Sequence, residues 1–291
     1  MQMPPSPPWT AGQLRRLGIC LRDQTPVPSH LPQYEDVMEY YNEVAVYVQD
    51  KINPLDWDSL LTGRPFKVTS RLKTLDTLTQ KLNRDHSYPL PAVQDIAGVR
   101  FEAEMTLDEQ DAVAGAIVGM FDQDPRCIHD MRSDPHSGYR AVHVWLRLPV
   151  RVEVQVRTQL QGLWANMYES AADVLGRGIR YGELPTDSPD LEIVTTMQDI
   201  SVNKIAPLEH SRNELIRIGA EAKASLSRLR SLKASGLDSA SEQFQHVVEQ
   251  LETNQREAEA FQSDIDAEET EVRASLDSWK TLFDSIREER G

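Results

Sequence analysis

The sequence predicts an α/β or α+β domain, a β-sheet covered by helices, followed by an all-α tail. The first observation behind this is the stretch Ser137 to Thr158, which reads as a strand, a tight turn at Pro149-Val150 and a second strand. Successive side chains of a strand face opposite sides, so Tyr139, Ala141, His143 and Trp145 share one side and Val142, Val144, Leu146 and Leu148 the other. The second strand divides the same way, with Val152, Val154 and Val156 against Glu153, Gln155 and Arg157. Paired antiparallel, the two strands bury valines below and raise a polar row above. That row is either an active surface or the wetted side common to antiparallel sheets. The second observation is the alternation of helix-like and strand-like stretches upstream. The third is the chain beyond Pro189, polar and nearly free of glycine, with apolar residues three and four apart.

The elements follow in order. Residues 1–33 carry Pro4, Pro5, Pro7, Pro8, Pro26, Pro28 and Pro32 and are expected to be extended or partly disordered, with a short helix at Gln13 to Leu21. From Tyr34 to Ile52 the apolar residues Val37, Val44 and Val48 and the intervening tyrosines keep helical spacing, and Asn53-Pro54 ends the run. Between Arg71 and Arg84, Leu72, Leu75, Leu78 and Leu82 form one helical stripe, while Lys73, Thr77 and Lys81 form a second on nearly the opposite face. Two ammonium groups and a hydroxyl in a row suit a polyphosphate, and a solvated helix face gives the same pattern.

Val93 to Phe101 reads as a strand opened by Asp95, a residue placed to cap a turn or to hold a metal ion. With Glu153 it would complete a carboxylate pair for Mg2+. Leu107 to Phe121 reads as a helix, Arg126 to Arg132 as a strand, and Asp134 to Gly138 as a loop feeding the strand that follows. A helix after Trp164 runs to Val174 or Leu175, Gly176-Arg177-Gly178 breaks it, and Gly182 to Pro189 is a linker. Leu191 to Leu232, kinked near Pro207, is expected to turn at Gly236 and pair with the helix that follows as a hairpin or imperfect coiled coil. Its seam, from Phe244 to Ile286, is interrupted by Gln255, Gln262 and Glu269. The organisation is thus a proline-rich segment 1–33, a sheet domain 34–182 and a helical extension 190–291.

Composition excludes several classes. A formal net charge of −15 removes a global basic footprint for nucleic acid and leaves only local basic patches. Cys20 and Cys127 lack CxxC or Cys/His spacing, which argues against a disulfide framework or structural zinc site and fits a reducing compartment. No apolar run reaches the ~20 residues of a membrane span, and the N-terminus lacks a signal-peptide pattern. A soluble, cytoplasmic protein without membrane insertion is expected.

Four motifs then occur in order: Arg71-x-Lys73-x-x-x-Thr77-x-x-x-Lys81; Asp95-Ile96-Ala97-Gly98-Val99-Arg100; Gly138-Tyr139-Arg140-Ala141-Val142-His143; and Glu153-x-Gln155-x-Arg157-Thr158 with Trp164-Ala165 beyond it. Together they resemble the synthetase domain of RelA/SpoT-type alarmone enzymes, over roughly Tyr41 to Tyr181. The resemblance implies a mixed sheet similar to nucleotidyltransferases and an ATP-dependent pyrophosphotransferase, moving pyrophosphate from ATP to a ribose 3′-hydroxyl. Carried over by position, it implies that Arg71 and Arg100 stack on adenine and that Lys73, Thr77 and Lys81 take the ATP phosphates. Asp95 and Glu153 would bind magnesium, with Glu153 also accepting the proton of the attacking hydroxyl. Tyr139 would stack on the acceptor base, His143 would lie near the acceptor, and Gln155 and Arg157 would position substrate.

Two departures stand out. The family's helix motif usually has serine where Thr77 stands, and its acceptor loop commonly reads Pro-Lys-x-Asn-Gly-Tyr where this chain has Pro135-His136-Ser137-Gly138-Tyr139. The acceptor therefore stays open between GDP or GTP, giving an alarmone, and the tRNA 3′-terminal adenosine, as in toxic relatives. No hydrolase domain fits in the short lead, so a stand-alone synthetase is expected. The tail either packs on the domain, drives homo-oligomer formation, covers the ATP site or binds a neutralising or regulatory protein partner. A noncatalytic nucleotide-sensing module whose tail recruits a partner is the competing class.

Overall fold

Strand pairing organises the first part of the chain. The computed structural model describes residues 2–84, 86–234 and 242–290. Its elements run α1 (Ala11–Arg22), α2 (Tyr34–Ile52), α3 (Asp58–Leu61), β1 (Phe66–Leu72), α4 (Leu75–Arg84), β2 (Ala97–Ala103), α5 (Leu107–Met120), β3 (Ile128–Asp130), β4 (Val142–Arg147), β5 (Arg151–Thr158), α6 (Gln159–Leu175), α7 (Ser188–Asp199), α8 (Ala206–Ala234) and α9 (Glu242–Arg290). A π-helical turn, Ile200–Ile205, joins α7 to α8. The chain divides into two compact units: Met1–Met105, Glu109–Pro135 and Arg140–Gly162 form one, and Thr106–Asp108, His136–Tyr139 and Leu163–Gly291 the other.

In the first unit the strands lie in the order β1-β2-β5-β4-β3. Only β2 and β5 run parallel; the other neighbours are antiparallel, so the sheet is mixed. Val142, Val144, Val152, Val154 and Val156 are buried on one face and share a core with Val44, Val48 and Ile52 of α2 and Val113 and Ile117 of α5. Each such side chain contributes about 1.5–3 kcal/mol by leaving water. The opposite face is the polar one.

The proline-rich lead belongs to this core. Thr10 and Gln13 form a capping box that starts α1, and Leu14 and Leu17, three apart on the helix, are buried. The Tyr40 hydroxyl donates to the Pro5 carbonyl at 2.7 Å, and Trp9 meets the Tyr40 ring edge-on. Extended prolines are thereby tied down by side chains between and beyond them rather than left to solvent.

Several expected boundaries move. The helical stripe from Arg71 is split: β1 continues through Leu72, and α4 starts only at Leu75, whose side chain is exposed while Leu78 and Leu82 are buried. The cause is pairing, because Arg71 and Leu72 are in register with Gly98 and Ala97 of β2. The strand expected from Val93 begins at Ala97, and the one expected over Arg126 to Arg132 shrinks to β3 after a 3-10 turn at Pro125–Cys127. β4 begins at Val142, so Tyr139 and Ala141 precede the strand.

In the second unit α8 packs along α9. Just before Pro207, where a kink is expected, the chain makes the π-helical turn Ile200–Ile205. Ile265, Val272, Leu276 and Phe283 bury the α9 seam. Glu269, expected to interrupt that seam, is buried and held by Arg212 of α8 at 2.5 Å and by Arg273. The C-terminal end of α9 meets α6, where Ser170 Oγ donates to Asp284 Oδ1 at 2.9 Å. The turn expected at Gly236 lies outside the described residues, as does the side chain of Phe244.

Candidate active site

Register builds the site. Arg71 of β1, Gly98 of β2, Glu153 of β5 and Trp145 of β4 stand in one row across the sheet, and Thr69, Arg100, Gln155, His143 and His129 stand in the next. Directly paired residues share a face, so the polar side expected of β4 and β5 extends over all five strands. Arg157 and Glu102 pair in a third row. Gly98 puts no side chain between Arg71 and Glu153, and a Cβ there would come within 3.2 Å of the Arg71 carbonyl oxygen.

Glu153 is buried at the centre of this face. Gln155 Nε2 donates to its Oε2 at 2.7 Å, Trp145 Nε1 donates to its Oε1 at 3.2 Å, and His143 Nδ1 lies 3.2 Å from the same Oε1. Burial pushes the carboxyl up, yet the charge and hydrogen bond of His143, with the Gln155 amide, prevail and hold it below the ordinary glutamate value. Glu153 is therefore a carboxylate at neutral pH.

Asp95 lies in the turn before β2. Lys73 Nζ donates to its Oδ2 at 2.6 Å and Lys81 Nζ to its Oδ1 at 2.7 Å. Lys73 reaches it from the end of β1, where its backbone N–H donates to Ile96 O at 3.1 Å and extends the ladder; Lys81 reaches it from α4. Burial opposes ionisation here too, but the two ammonium charges and their hydrogen bonds hold the Asp95 carboxyl down at about 2. The Asp95 charge is felt at Glu153, where it opposes ionisation, so the two carboxylates stand within electrostatic reach.

The remaining expected residues are placed less tightly. Arg71 is exposed on β1 and Arg100 half-buried on β2, as diagonal neighbours. Thr77 is half-buried on α4, its hydroxyl donating to Thr74 O at 3.0 Å rather than joining the lysines. Arg157 is buried, donating through Nη2 to Gln155 Oε1, with Nη1 3.6 Å from Glu102 Oε1. Tyr139 belongs to the second unit, where its N–H donates to His136 O at 2.9 Å.

Three residues on the face have no role assigned from the sequence, although alternation places Trp145 there. Trp145 shares the alternation with His143, and its indole holds Glu153; the alternation itself is the signal that points to it. His129 packs on Trp145 with ring centroids 3.6 Å apart, a contact that depends on β3 pairing with β4. Burial, then the charge of His143, pulls His129 below its ordinary value against the opposing effect of Glu153. Glu102 follows Gly98 and Arg100 in steps of two, and alternation along β2 is enough to find it.

Among the described residues, no three or more His, Cys, Asp or Glu side chains gather as a ready-made metal cage. Magnesium, however, is held through one or two carboxylates together with substrate phosphates and water. Asp95 and Glu153 are a donor set of that kind. No described helix is long and apolar enough to cross a membrane.

The family described as "Region found in RelA / SpoT proteins" matches residues 70–173. The chain is 47% identical over 205 residues to the uncharacterized protein Rv1366 of Mycobacterium tuberculosis and to the uncharacterized protein Mb1401 of Mycobacterium bovis, covering 68% of this chain and 74% of each relative. Among solved structures it is similar to the small alarmone synthetase 1 from Bacillus subtilis, with a TM-score of 0.46 and 19% identity over 67% of this chain and 98% of that one. The same protein bound to its product pppGpp matches with a TM-score of 0.46 and 20% identity, over 63% of this chain and 98% of that one. The matched region runs from the end of β1 through most of α6, with Glu153, Asp95 and both lysines inside it, and the chain belongs to the RelA/SpoT family.

Proposed function

We propose that this chain is an ATP-dependent pyrophosphokinase, transferring pyrophosphate from ATP to the ribose 3′-hydroxyl of a nucleotide acceptor. The observation that carries the reading is the pairing of two unlike carboxylates: Glu153, held ionised by a histidine and an amide, within electrostatic reach of Asp95, held by two lysines.

The acceptor's 3′-oxygen attacks the β-phosphorus of ATP. A bond forms between that oxygen and the β-phosphorus, the bond from the β-phosphorus to the α,β-bridging oxygen breaks, and AMP leaves. The hydroxyl proton passes to the Glu153 carboxylate, which His143 and Trp145 keep aimed and charged until then. Charge spreads over the transferring phosphoryl oxygens, so positioned cations carry most of the acceleration. Lys73 and Lys81 supply them by exchanging Asp95 for phosphate, and the Thr77 hydroxyl joins them only by leaving the Thr74 carbonyl it bonds here. Arg71 and Arg100 hold adenine between guanidinium planes, across the gap at Gly98. Gln155 and Arg157 orient substrate over the sheet, and Tyr139 stacks on the acceptor base. Magnesium bound by Asp95 and Glu153 would neutralise phosphate charge.

The acceptor is a guanine nucleotide, GDP or GTP, or the 3′-terminal adenosine of tRNA. The test is to incubate the full chain with magnesium and ATP labelled on its terminal phosphates, with GDP, GTP or deacylated tRNA in separate reactions. Label on one acceptor supports the reading and names the substrate. Absence of label on all of them refutes it and favours a noncatalytic nucleotide-sensing module.

A further inference from the structure

The loop before β4 is held mostly by residues outside the four motifs. Ser137 has φ 54° and Gly138 φ +82°, two successive left-handed residues, which an L side chain adopts only at a cost. Something must over-determine such a turn, and the π-helical turn does so. Ser201, buried within it, donates its hydroxyl to the Gly138 carbonyl at 2.6 Å. From the other side Gly138 meets α6 and α7 so closely that a Cβ would lie 2.9 Å from Trp164 Cζ2 and 3.1 Å from the Gln198 Cα.

These two contacts are themselves fixed. Trp164 Nε1 donates to Met197 O at 2.7 Å, and its ring stacks on Tyr168 with centroids 4.6 Å apart. The Tyr168 hydroxyl accepts from Gln198 Nε2 at 2.9 Å and donates to Ile179 O at 3.2 Å. A π-helical turn carries an extra residue per turn and often marks a functional position. Here it brings a serine hydroxyl to the peptide that precedes Tyr139.

We propose that Ser201 is a positioning residue for the acceptor: by holding the Gly138 carbonyl it fixes the Gly138–Tyr139 peptide and so the plane in which the Tyr139 ring meets the acceptor base. The proposal rests on the assignment of Tyr139 to the acceptor under the proposed function. It makes the segment after α6 part of the acceptor-recognition apparatus, where packing alone would give it no influence on substrate. The altered loop residues His136 and Ser137 are thus held in place from outside the motif.

The test uses the full chain as wild type, Ser201→Ala and Gly138→Ala. The acceptor is whichever of GDP, GTP and deacylated tRNA the wild-type chain labels. Loss of one buried hydrogen bond to the loop is expected to raise the acceptor KM about tenfold in Ser201→Ala while the ATP KM stays within about twofold. Gly138→Ala, which displaces the same peptide by collision with Trp164 and the α7 backbone, is expected to give the same split more strongly. Hydrogen exchange at the Tyr139 amide should quicken about tenfold in Ser201→Ala. Melting curves identify a variant that has lost its fold, and the exchange readout then rests on Ser201→Ala alone. Unchanged exchange, or equal changes in both KM values in folded protein, overturns the positioning role and leaves the pyrophosphokinase reading intact. A wild-type chain that labels no acceptor overturns both.

Discussion

Glu153 and Asp95 are two acidic side chains that burial pushes up and that neighbours of different kinds pull down. Asp95 is gripped by two full positive charges, Lys73 and Lys81, on its two oxygens. Glu153 is held by a histidine, an amide and an indole. Two lysines keep a carboxylate charged under any ordinary condition, which suits a fixed anion beside magnesium and phosphate. The partners of Glu153 keep it charged at neutral pH, which suits the proton acceptor proposed for it. The difference teaches that identical chemistry can be given unlike roles by the kind of counterweight, not by burial.

The largest break of that contrast is Glu153→Gln, which keeps the shape and removes the proposed proton acceptor. It is expected to lower kcat by about 10³-fold with ATP binding retained. Steady-state kinetics beside binding of a nonhydrolysable ATP analogue would check it, and full activity would remove Glu153 from the proposed role. Asp95→Asn comes next, because it leaves both lysines facing a neutral amide. A loss of about 10²-fold in kcat/KM is expected, with the magnesium requirement moved to higher concentration.

The same variant sharpens the contrast in stability. The Asp95 carboxyl is lowered from 3.8 to about 2 in the folded chain. A depressed carboxyl stabilises the fold above its unfolded value and loses that contribution as pH falls through the folded one. Its contribution is thus complete above about pH 5, of order 2 kcal/mol, and fades between about pH 4 and 2. Urea melts should show wild type ahead of Asp95→Asn at pH 6, with the gap closing below pH 3; a constant gap would mean the lysine grip is not electrostatic. The smallest effect is expected from Trp145→Phe, which keeps a ring against His129 and deletes the indole donor to Glu153. A loss of about threefold to tenfold in kcat and an upward move of the acid limb of the pH–rate profile should follow.

How far the sequence can be read varies along the chain. Strand alternation alone puts Glu153, Gln155 and Arg157 on one face of β5 and His143 and Trp145 on one face of β4, and the register then sets His143 opposite Gln155 and Trp145 opposite Glu153. Helix α2 falls at the bounds its apolar spacing and Asn53-Pro54 set. The Lys73-Thr77-Lys81 stripe fails as a helix pattern because Lys73 extends the β1–β2 ladder, and a strand's end is decided by its partner. Both lysines nevertheless meet at Asp95, whereas Thr77 points elsewhere. Alternation carries Tyr139 onto the strand face, but the left-handed Ser137 and Gly138 place it in a turn. Proline content suggests a loose lead where Leu14 and Leu17 find a core.

By itself the sequence determined which side chains of β4 and β5 share a face and where valines would bury, and it named the candidates for phosphate, metal and proton. These follow from the two-residue repeat of a strand and the 3.6-residue repeat of a helix, which are properties of a few neighbouring residues. Only the tertiary structure decided the company those residues keep. Asp95 meets Lys73 and Lys81 from 22 and 14 residues away, and Ser201 reaches Gly138 from 63 residues away. Such contacts depend on which strands pair and where helices pack, and no local period records that choice.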